Sequence, residues 1–329
     1  VKIEATIKNN NKHLGFGKII LFGEHFVVHG LPAVVTSLDL VTTAHLEYIG
    51  NNELIIVDNR PKIPLYQPRK TVEYENMVRA IFGSMGVQHF GWCIKLGGTL
   101  PVTNGGIGAS AAAAVAVARA IDRYFSFNLT EHLINQAAFV GEQKIHGTPS
   151  GVDNMAAVFG GTFVFTKDKG CLDNIAIKNS LYLVIVDSGK PTNTKHVITA
   201  IKKLREKNTL HMEKIFDRYR SIFDDVLVAL AQQNMIALGL AMTQNHLLLS
   251  EVGLSSQELD YLVTYALKAG ALGAKVTGTG CGGVMVILAS NEHNQMIIGQ
   301  SLANAGFFTI QQTIASSCSN QINHAFLFQ

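Results

Sequence analysis

The stretch Leu100–Arg119, LPVTNGGIGASAAAAVAVAR, carries a glycine-rich turn that runs straight into an alanine-rich helix. Gly105, Gly106 and Gly108 leave little side chain between backbone and ligand, so several N–H groups can converge on an anion. Ser110 follows at the expected helix N-terminus, where unsatisfied N–H groups and the helix dipole favour phosphate. Such a turn can cradle the phosphates of a nucleotide, and a turn of the same composition can also simply cap a buried alanine helix. Lys18 opens the apolar run GKIILFGEHFVVHG, which ends on Glu24 and His25. Glu142 falls near the C-terminal end of a predicted helix, where the dipole disfavours a carboxylate; a solvated surface glutamate and a carboxylate matched to a cation both fit. Asp153 stands in HGTPSGVDN (146–154) at a loop–helix junction, where an aspartate commonly serves as an N-cap; the glycine turn, Glu142 and Lys18 in the same chain favour a functional role. His25 and His29 are four apart, but Phe26 after His25 breaks the HExxH pattern, so they are read as packing or substrate contacts.

These residues need a scaffold. The sequence predicts strands over 3–7 and 18–23 around a Gly15-Phe16-Gly17 turn, then strands over 36–48, 53–57 and 91–95. A loop with Pro61, Pro64 and Pro68 and a helix over 73–85 lie between them. After the alanine helix, Thr130 caps a helix over 131–144 whose apolar face is Leu133, Ile134, Ala137, Ala138 and Ile145. Asp153 begins a further short helix, and a strand over 162–166 follows. The second half opens with a strand over 181–186. Helices over 194–207, 212–233 and 235–250 come next, and then a helix started by a Ser255/Glu258 capping box and closed by Gly270. Strands over 274–277 and 284–289, a helix over 292–305 and a strand over 307–314 complete a β–α–β–β–α–β order of ferredoxin-like type. A polar loop near 170–182 divides the chain into expected domains 1–180 and 181–329.

Composition narrows the class. The chain has 329 residues, 47% of them hydrophobic and 16% charged, which suits a compact two-domain enzyme rather than a disordered chain. A net charge of +3 without a Lys/Arg block gives no reason to invoke nucleic acid or a membrane surface. The four cysteines are scattered and form no CxxC, so neither a zinc site nor a disulfide framework is expected. No stretch reaches the roughly 18 apolar residues of a membrane helix. The expected location is cytoplasmic.

Two familiar phosphate motifs fail. Gly278, Gly280 and Gly283 satisfy GxGxxG, but a strand follows where a dinucleotide fold needs a helix. Gly17-Lys18 is followed by Ile19, so the Walker pattern is absent, and so is the protein-kinase set of HRD with a later DFG.

Three separated segments instead resemble the GHMP kinases, the small-molecule kinases named for galactokinase, homoserine kinase, mevalonate kinase and phosphomevalonate kinase. GKIILFGEHFVVHG is similar to the family's lysine motif, LPVTNGGIGASAA to its phosphate loop and KVTGTGCGG (275–283) to its C-terminal glycine loop. HGTPSGVDN, with Glu142 eleven residues before Asp153, is most similar to the mevalonate kinase branch. The resemblance implies an α+β, two-domain GHMP kinase fold, with an N-terminal ribosomal-protein-S5-like α/β domain and a C-terminal ferredoxin-like α+β domain. It implies ATP-dependent phosphorylation of (R)-mevalonate in isoprenoid biosynthesis, by a monomer or homodimer; another GHMP kinase reaction is the alternative. Asn104, Gly105, Gly106, Ile107, Gly108, Ala109 and Ser110 are then expected to wrap the ATP phosphates, and Ser110 and Glu142 to hold Mg²⁺. Asp153 and Lys18 are the expected catalytic pair. Glu24, His25, Thr194, Gly278 and Gly280 join them as expected substrate contacts. The loop departs from the family pattern at Ala109, where a first serine is usual, and it is about one residue longer.

Overall fold

The computed structural model describes residues 14–63, 71–103, 105–190, 209–278 and 280–315. The expected strand over 3–7 and helix over 194–207 lie outside the described residues. The contacts divide the chain into two units that are not contiguous halves. One comprises Val1–Lys18, Ser37–Val102 and Gly108–Gly160; the other comprises Ile19–Thr36, Thr103–Ile107 and Gly161–Gln329. The expected 180/181 boundary falls inside the second unit. Residues of β1 (Leu14–Phe22) and β2 (Ala33–Tyr48) belong in part to each.

In the first unit, Thr42–Tyr48 of β2 pairs antiparallel with β4 (Trp92–Gly98), and β3 (Leu54–Asp58) pairs parallel with β4. Four helices accompany these strands: α1 (Thr71–Ser84), α2 (Ala109–Phe125), α3 (Glu131–His146) and α4 (Val152–Phe159). The core gathers Met77, Ile81 and Phe82 from α1, Ile94 and Leu96 from β4, Ile134 and Ala138 from α3, and the buried alanines and valines of α2. Residues 111–118 of α2 are buried at every position, which places this helix at the centre of the unit. Small residues let its neighbours approach closely. A Cβ on Gly15 would stand 2.0 Å from the Ala112 carbonyl oxygen, inside contact distance. Gly15-Phe16-Gly17 is therefore not the expected turn but part of β1, and Gly15 is there for the approach to α2 rather than for a bend. Thr130 caps α3 as expected, accepting from the Leu133 N–H. Leu133, assigned to the buried face, is 43% exposed.

In the second unit, Ala33–Thr36 of β2 pairs antiparallel with β5 (Thr162–Thr166), which pairs in turn with β6 (Gly170–Asn174). A separate four-stranded antiparallel sheet follows, built from β7 (Leu181–Asp187), β8 (Gly273–Thr277), β9 (Val284–Ala289) and β10 (Phe308–Ile314) in the order β10-β7-β9-β8. Helices α5 (Thr209–Gln232), α6 (Met235–Glu251) and α7 (Gln257–Lys268) fall between β7 and β8, and α8 (Glu292–Asn304) between β9 and β10. This order and pairing make the expected β–α–β–β–α–β arrangement. Every residue of β8 and β9 is buried. The cap of α7 is Ser256, not Ser255: Ser256 accepts from the Leu259 N–H, while Ser255 donates to Asp260 at 2.6 Å. Among the described residues, no helix is long and apolar enough to cross a membrane.

Candidate active site

Lys18 stands at the middle of β1 and is the last residue of the first unit's opening segment. Its side chain is 3% exposed, and its ammonium lies 3.0 Å from the Asp153 carboxylate, which is 33% exposed. A buried ammonium is costly without a partner, so this pair fixes Lys18 while leaving the carboxylate open to an incoming molecule. Asp153 sits in the first turn of α4, where a carboxylate is favoured by the helix dipole. Gly151 enters that helix at φ 86, in the left-handed region, and the Ser37 hydroxyl donates to the Ala156 carbonyl at 2.9 Å to hold α4 against β2.

The glycine turn delivers the N-terminus of α2 beside this lysine. Gly108 takes the N-cap position at φ 71, with no side chain capping the helix. The first N–H groups of a 17-residue helix are thus left for a ligand. A Cβ on Gly108 would stand 2.9 Å from Lys18 Cγ, so glycine is required for the lysine to lie where it does. Arg60 holds the same helix end from outside. Its guanidinium donates to the Ala109 carbonyl at 2.9 Å and grips Asp58 through two nitrogens at 2.9 and 2.7 Å. Ile107 is fully buried; Ala109 and Ser110 are half-buried; Asn104 lies outside the described residues.

Ser110 and Glu142 come together. The Ser110 hydroxyl donates to Glu142 Oε2 at 3.2 Å, and Glu142 is 1% exposed. The burial excludes the solvated-surface reading of Glu142. A hydroxyl and a carboxylate oxygen at this separation match two neighbouring positions around a hard divalent ion, whose ligands at about 2.1 Å stand about 3 Å apart. The donor set therefore fits Mg²⁺. No group of three or more His, Cys, Asp or Glu side chains forms a metal site among the described residues.

In the second unit the two glycine turns meet. A Cβ on Gly106 would stand 2.2 Å from Val284 Cγ2, and one on Gly278 would stand 2.6 Å from the Gly106 Cα. Both glycines have positive φ, 96° and 84°. A Cβ on Gly280 would likewise stand 2.5 Å from the Leu254 carbonyl oxygen. Glu24, grouped above with the substrate contacts, is 1% exposed and bonded to Lys275, which is itself fully buried. Burial pushes the Glu24 carboxyl up and the Lys275 ammonium down, each opposed by the other's charge. His25 is half-buried at φ 58, next to a 3₁₀ turn over Phe26–His29, and Thr194 lies outside the described residues.

Three further residues stand at these contacts without a motif to mark them. Lys275 is legible as the one charge in a short strand, GAKVT. His146 was legible by its spacing, four residues after Glu142 on one helix face. Arg60 lies in a loop and carried no local signal.

Known proteins show the family to which the chain belongs. The model of the GHMP kinases N terminal domain matches residues 73–161, and that of the GHMP kinases C terminal domain matches 226–306. The mevalonate kinase of Pyrococcus furiosus is 30% identical over 301 residues, covering 85% of this chain and 89% of its own. The crystal structure of L. major mevalonate kinase in complex with R-mevalonate has a TM-score of 0.87 and 35% identity, over 93% of this chain and 96% of that one. The Methanococcus jannaschii mevalonate kinase structure, at 22% identity and a TM-score of 0.76, shares the fold. Motif order, a two-domain fold with an N-terminal α/β and a C-terminal α+β part, and relatives of this similarity lead to one conclusion: the chain belongs to the GHMP kinases and, within them, to the mevalonate kinase family.

Proposed function

We propose that this kinase transfers the γ-phosphoryl group of ATP to the 5-hydroxyl of (R)-mevalonate, giving 5-phosphomevalonate and ADP. The observation that carries the reading is the Lys18–Asp153 pair at 3.0 Å, one member buried and the other open to an alcohol. A primary alcohol is a weak acid, so a carboxylate within hydrogen-bond reach helps remove its proton as the oxygen attacks phosphorus. Asp153 Oδ is the acceptor for that proton. The Lys18 ammonium stands beside it, where negative charge develops on the attacking oxygen and on the transferring phosphoryl.

The N–H groups at the start of α2 and of the turn at 105–108 are the donors for the phosphate oxygens. Ser110 and Glu142 would hold Mg²⁺, which would supply charge neutralisation to the transferring phosphate. Support for mevalonate as the acceptor comes from the 35% identity to the L. major enzyme, whose structure contains R-mevalonate. Gly278, Gly280 and His25 are proposed substrate-side residues, together with Thr194. Glu24 holds its turn through Lys275 rather than meeting substrate.

The test is ADP release with Mg²⁺-ATP and, separately, mevalonate, phosphomevalonate and homoserine. Turnover on mevalonate alone is the expected result. Good turnover on homoserine or phosphomevalonate with none on mevalonate overturns the assignment.

A further inference from the structure

The Ser110–Glu142 pair has a third neighbour. His146 follows Glu142 by four residues on α3, so both side chains project from one helix face. His146 Nε2 lies 3.2 Å from Ser110 Oγ and 3.5 Å from Glu142 Oε2. With Ser110 Oγ and Glu142 Oε2 also 3.2 Å apart, the three atoms form a nearly equilateral triangle. One face of an octahedral ion with bonds of about 2.1–2.2 Å is a triangle with edges of about 3.0–3.1 Å. Closing the observed triangle to that size takes shifts of a few tenths of an ångström. Burial differs across it: Glu142 is 1% exposed and His146 36% exposed, so the imidazole stands on the open side, where nucleotide and water can reach the same ion.

We infer that His146 is a third protein ligand of the divalent ion, making a facial Ser–Glu–His site that favours Mn²⁺ over Mg²⁺. This rests on the reading of Ser110 and Glu142 as the cation residues. The chemical reason is ligand softness. Mg²⁺ takes oxygen ligands and keeps its waters, whereas an imidazole nitrogen adds more for borderline ions later in the first transition row. Neutral His146 uses Nε2 as the donor atom to the metal. The remaining three positions of the octahedron are left for phosphate oxygen and water.

Pulsed electron paramagnetic resonance of Mn²⁺ on the full chain, with a non-hydrolysable ATP analogue, reads the nitrogen directly. The expected result is a modulation from a coordinated imidazole nitrogen. It changes from the ¹⁴N to the ¹⁵N pattern when only the histidines carry ¹⁵N, which separates it from the adenine nitrogens. In His146→Ala the modulation disappears and Mn²⁺ binding weakens by about tenfold or more, while Mg²⁺ binding changes less. His146→Asn, checked by circular dichroism for an intact fold, gives the same loss of nitrogen signal. The labelled wild-type protein decides whether any histidine binds the ion, and loss of that signal in His146→Ala assigns the nitrogen to His146; a histidine signal kept in His146→Ala overturns the inference. Mn²⁺ bound with no histidine nitrogen, and weakened by Glu142→Gln, overturns the third ligand and leaves the Ser110–Glu142 site standing. Mn²⁺ affinity unchanged in both Glu142→Gln and Ser110→Ala overturns the cation site and the inference with it.

Discussion

Lys18 is held on two sides, by the Asp153 carboxylate at 3.0 Å and by the bare backbone of Gly108. The first contact supplies charge and the second supplies space. Asp153→Asn keeps the shape of the acceptor and removes its basicity, so kcat should fall by about 10²–10⁴ with the fold intact, as read by ADP release and circular dichroism. Gly108→Ala tests the space. Its Cβ would meet Lys18 Cγ at 2.9 Å and Cε at 3.4 Å, and alanine at φ 71 costs about 1–2 kcal/mol. The lysine must give way, and a displacement of about 1 Å in a reacting group is worth about 10² in rate. The expected outcome is a folded protein of modestly lower stability with a large loss of kcat. Full activity would show that Lys18 does not act from this position. At this scale the sequence was informative: the glycines of 105–108, Lys18 and Asp153 were visible as motifs. Glu142 was ambiguous because dipole mismatch alone does not distinguish a surface carboxylate from a buried one, and only the 1% exposure decides it.

Elements bring in contacts that local patterns do not carry. His246 of α6 is 2% exposed; its Nε2 lies 3.0 Å from Asp260 of α7, and its Nδ1 accepts from the Val276 N–H of β8 at 3.5 Å. Only the neutral ring can donate through one nitrogen and accept through the other. Burial lowers the pKa of His246, and nearby Lys275 lowers it further, while Asp260 opposes both. The folded state therefore binds fewer protons than the unfolded chain. Stability from this group is fully present above the unfolded histidine pKa of about 6.5. It is lost as pH falls from there toward the lower folded value. Urea unfolding between pH 8 and 5 should show wild type losing up to about 1.4 kcal/mol per pH unit more than His246→Gln within that window. Equal slopes would exclude a neutral, buried His246.

The strands and helices that surround this triad were predicted to within a few residues, because alternation and capping are local. The misses were not local. Gly15 resembles a turn glycine in sequence because its contact with Ala112 comes from 97 positions further along the chain. The cap of α7 moved by one residue because Ser255 is drawn to Asp260 instead. Leu133 kept a helical spacing yet stayed exposed, because periodicity marks a face without saying how far the cover extends.

Across the whole molecule, the chain visits each unit more than once. Ile19–Thr36 belongs with Gly161–Gln329, so the expected cut at 180/181 separates groups that contact one another within one unit. Phe26 stacks on Tyr219 with ring centroids 4.1 Å apart, and the Tyr219 hydroxyl donates to the Pro32 carbonyl at 2.6 Å. Thr277 donates to the Ile20 carbonyl at 2.9 Å, and Glu24 meets Lys275 across 251 residues of sequence. Composition along the chain shows none of this, because a polar loop near residue 175 has the same appearance whether or not earlier strands have crossed to the other side of it. Separately expressed fragments 1–180 and 181–329 should each lack a cooperative unfolding transition, since each leaves part of this set without partners.

The Glu24–Lys275 pair offers a sharper test of the same linkage. Removing one member leaves the other as a buried charge, so Lys275→Met should cost about 3–5 kcal/mol in urea unfolding. Replacing both, as Glu24→Gln with Lys275→Met, removes the orphaned charge and should recover much of that loss. Recovery in the double variant shows that the two residues meet in the folded chain. Additive losses would mean that each acts alone, and the turn at Glu24 would then need another account of what holds it to β8.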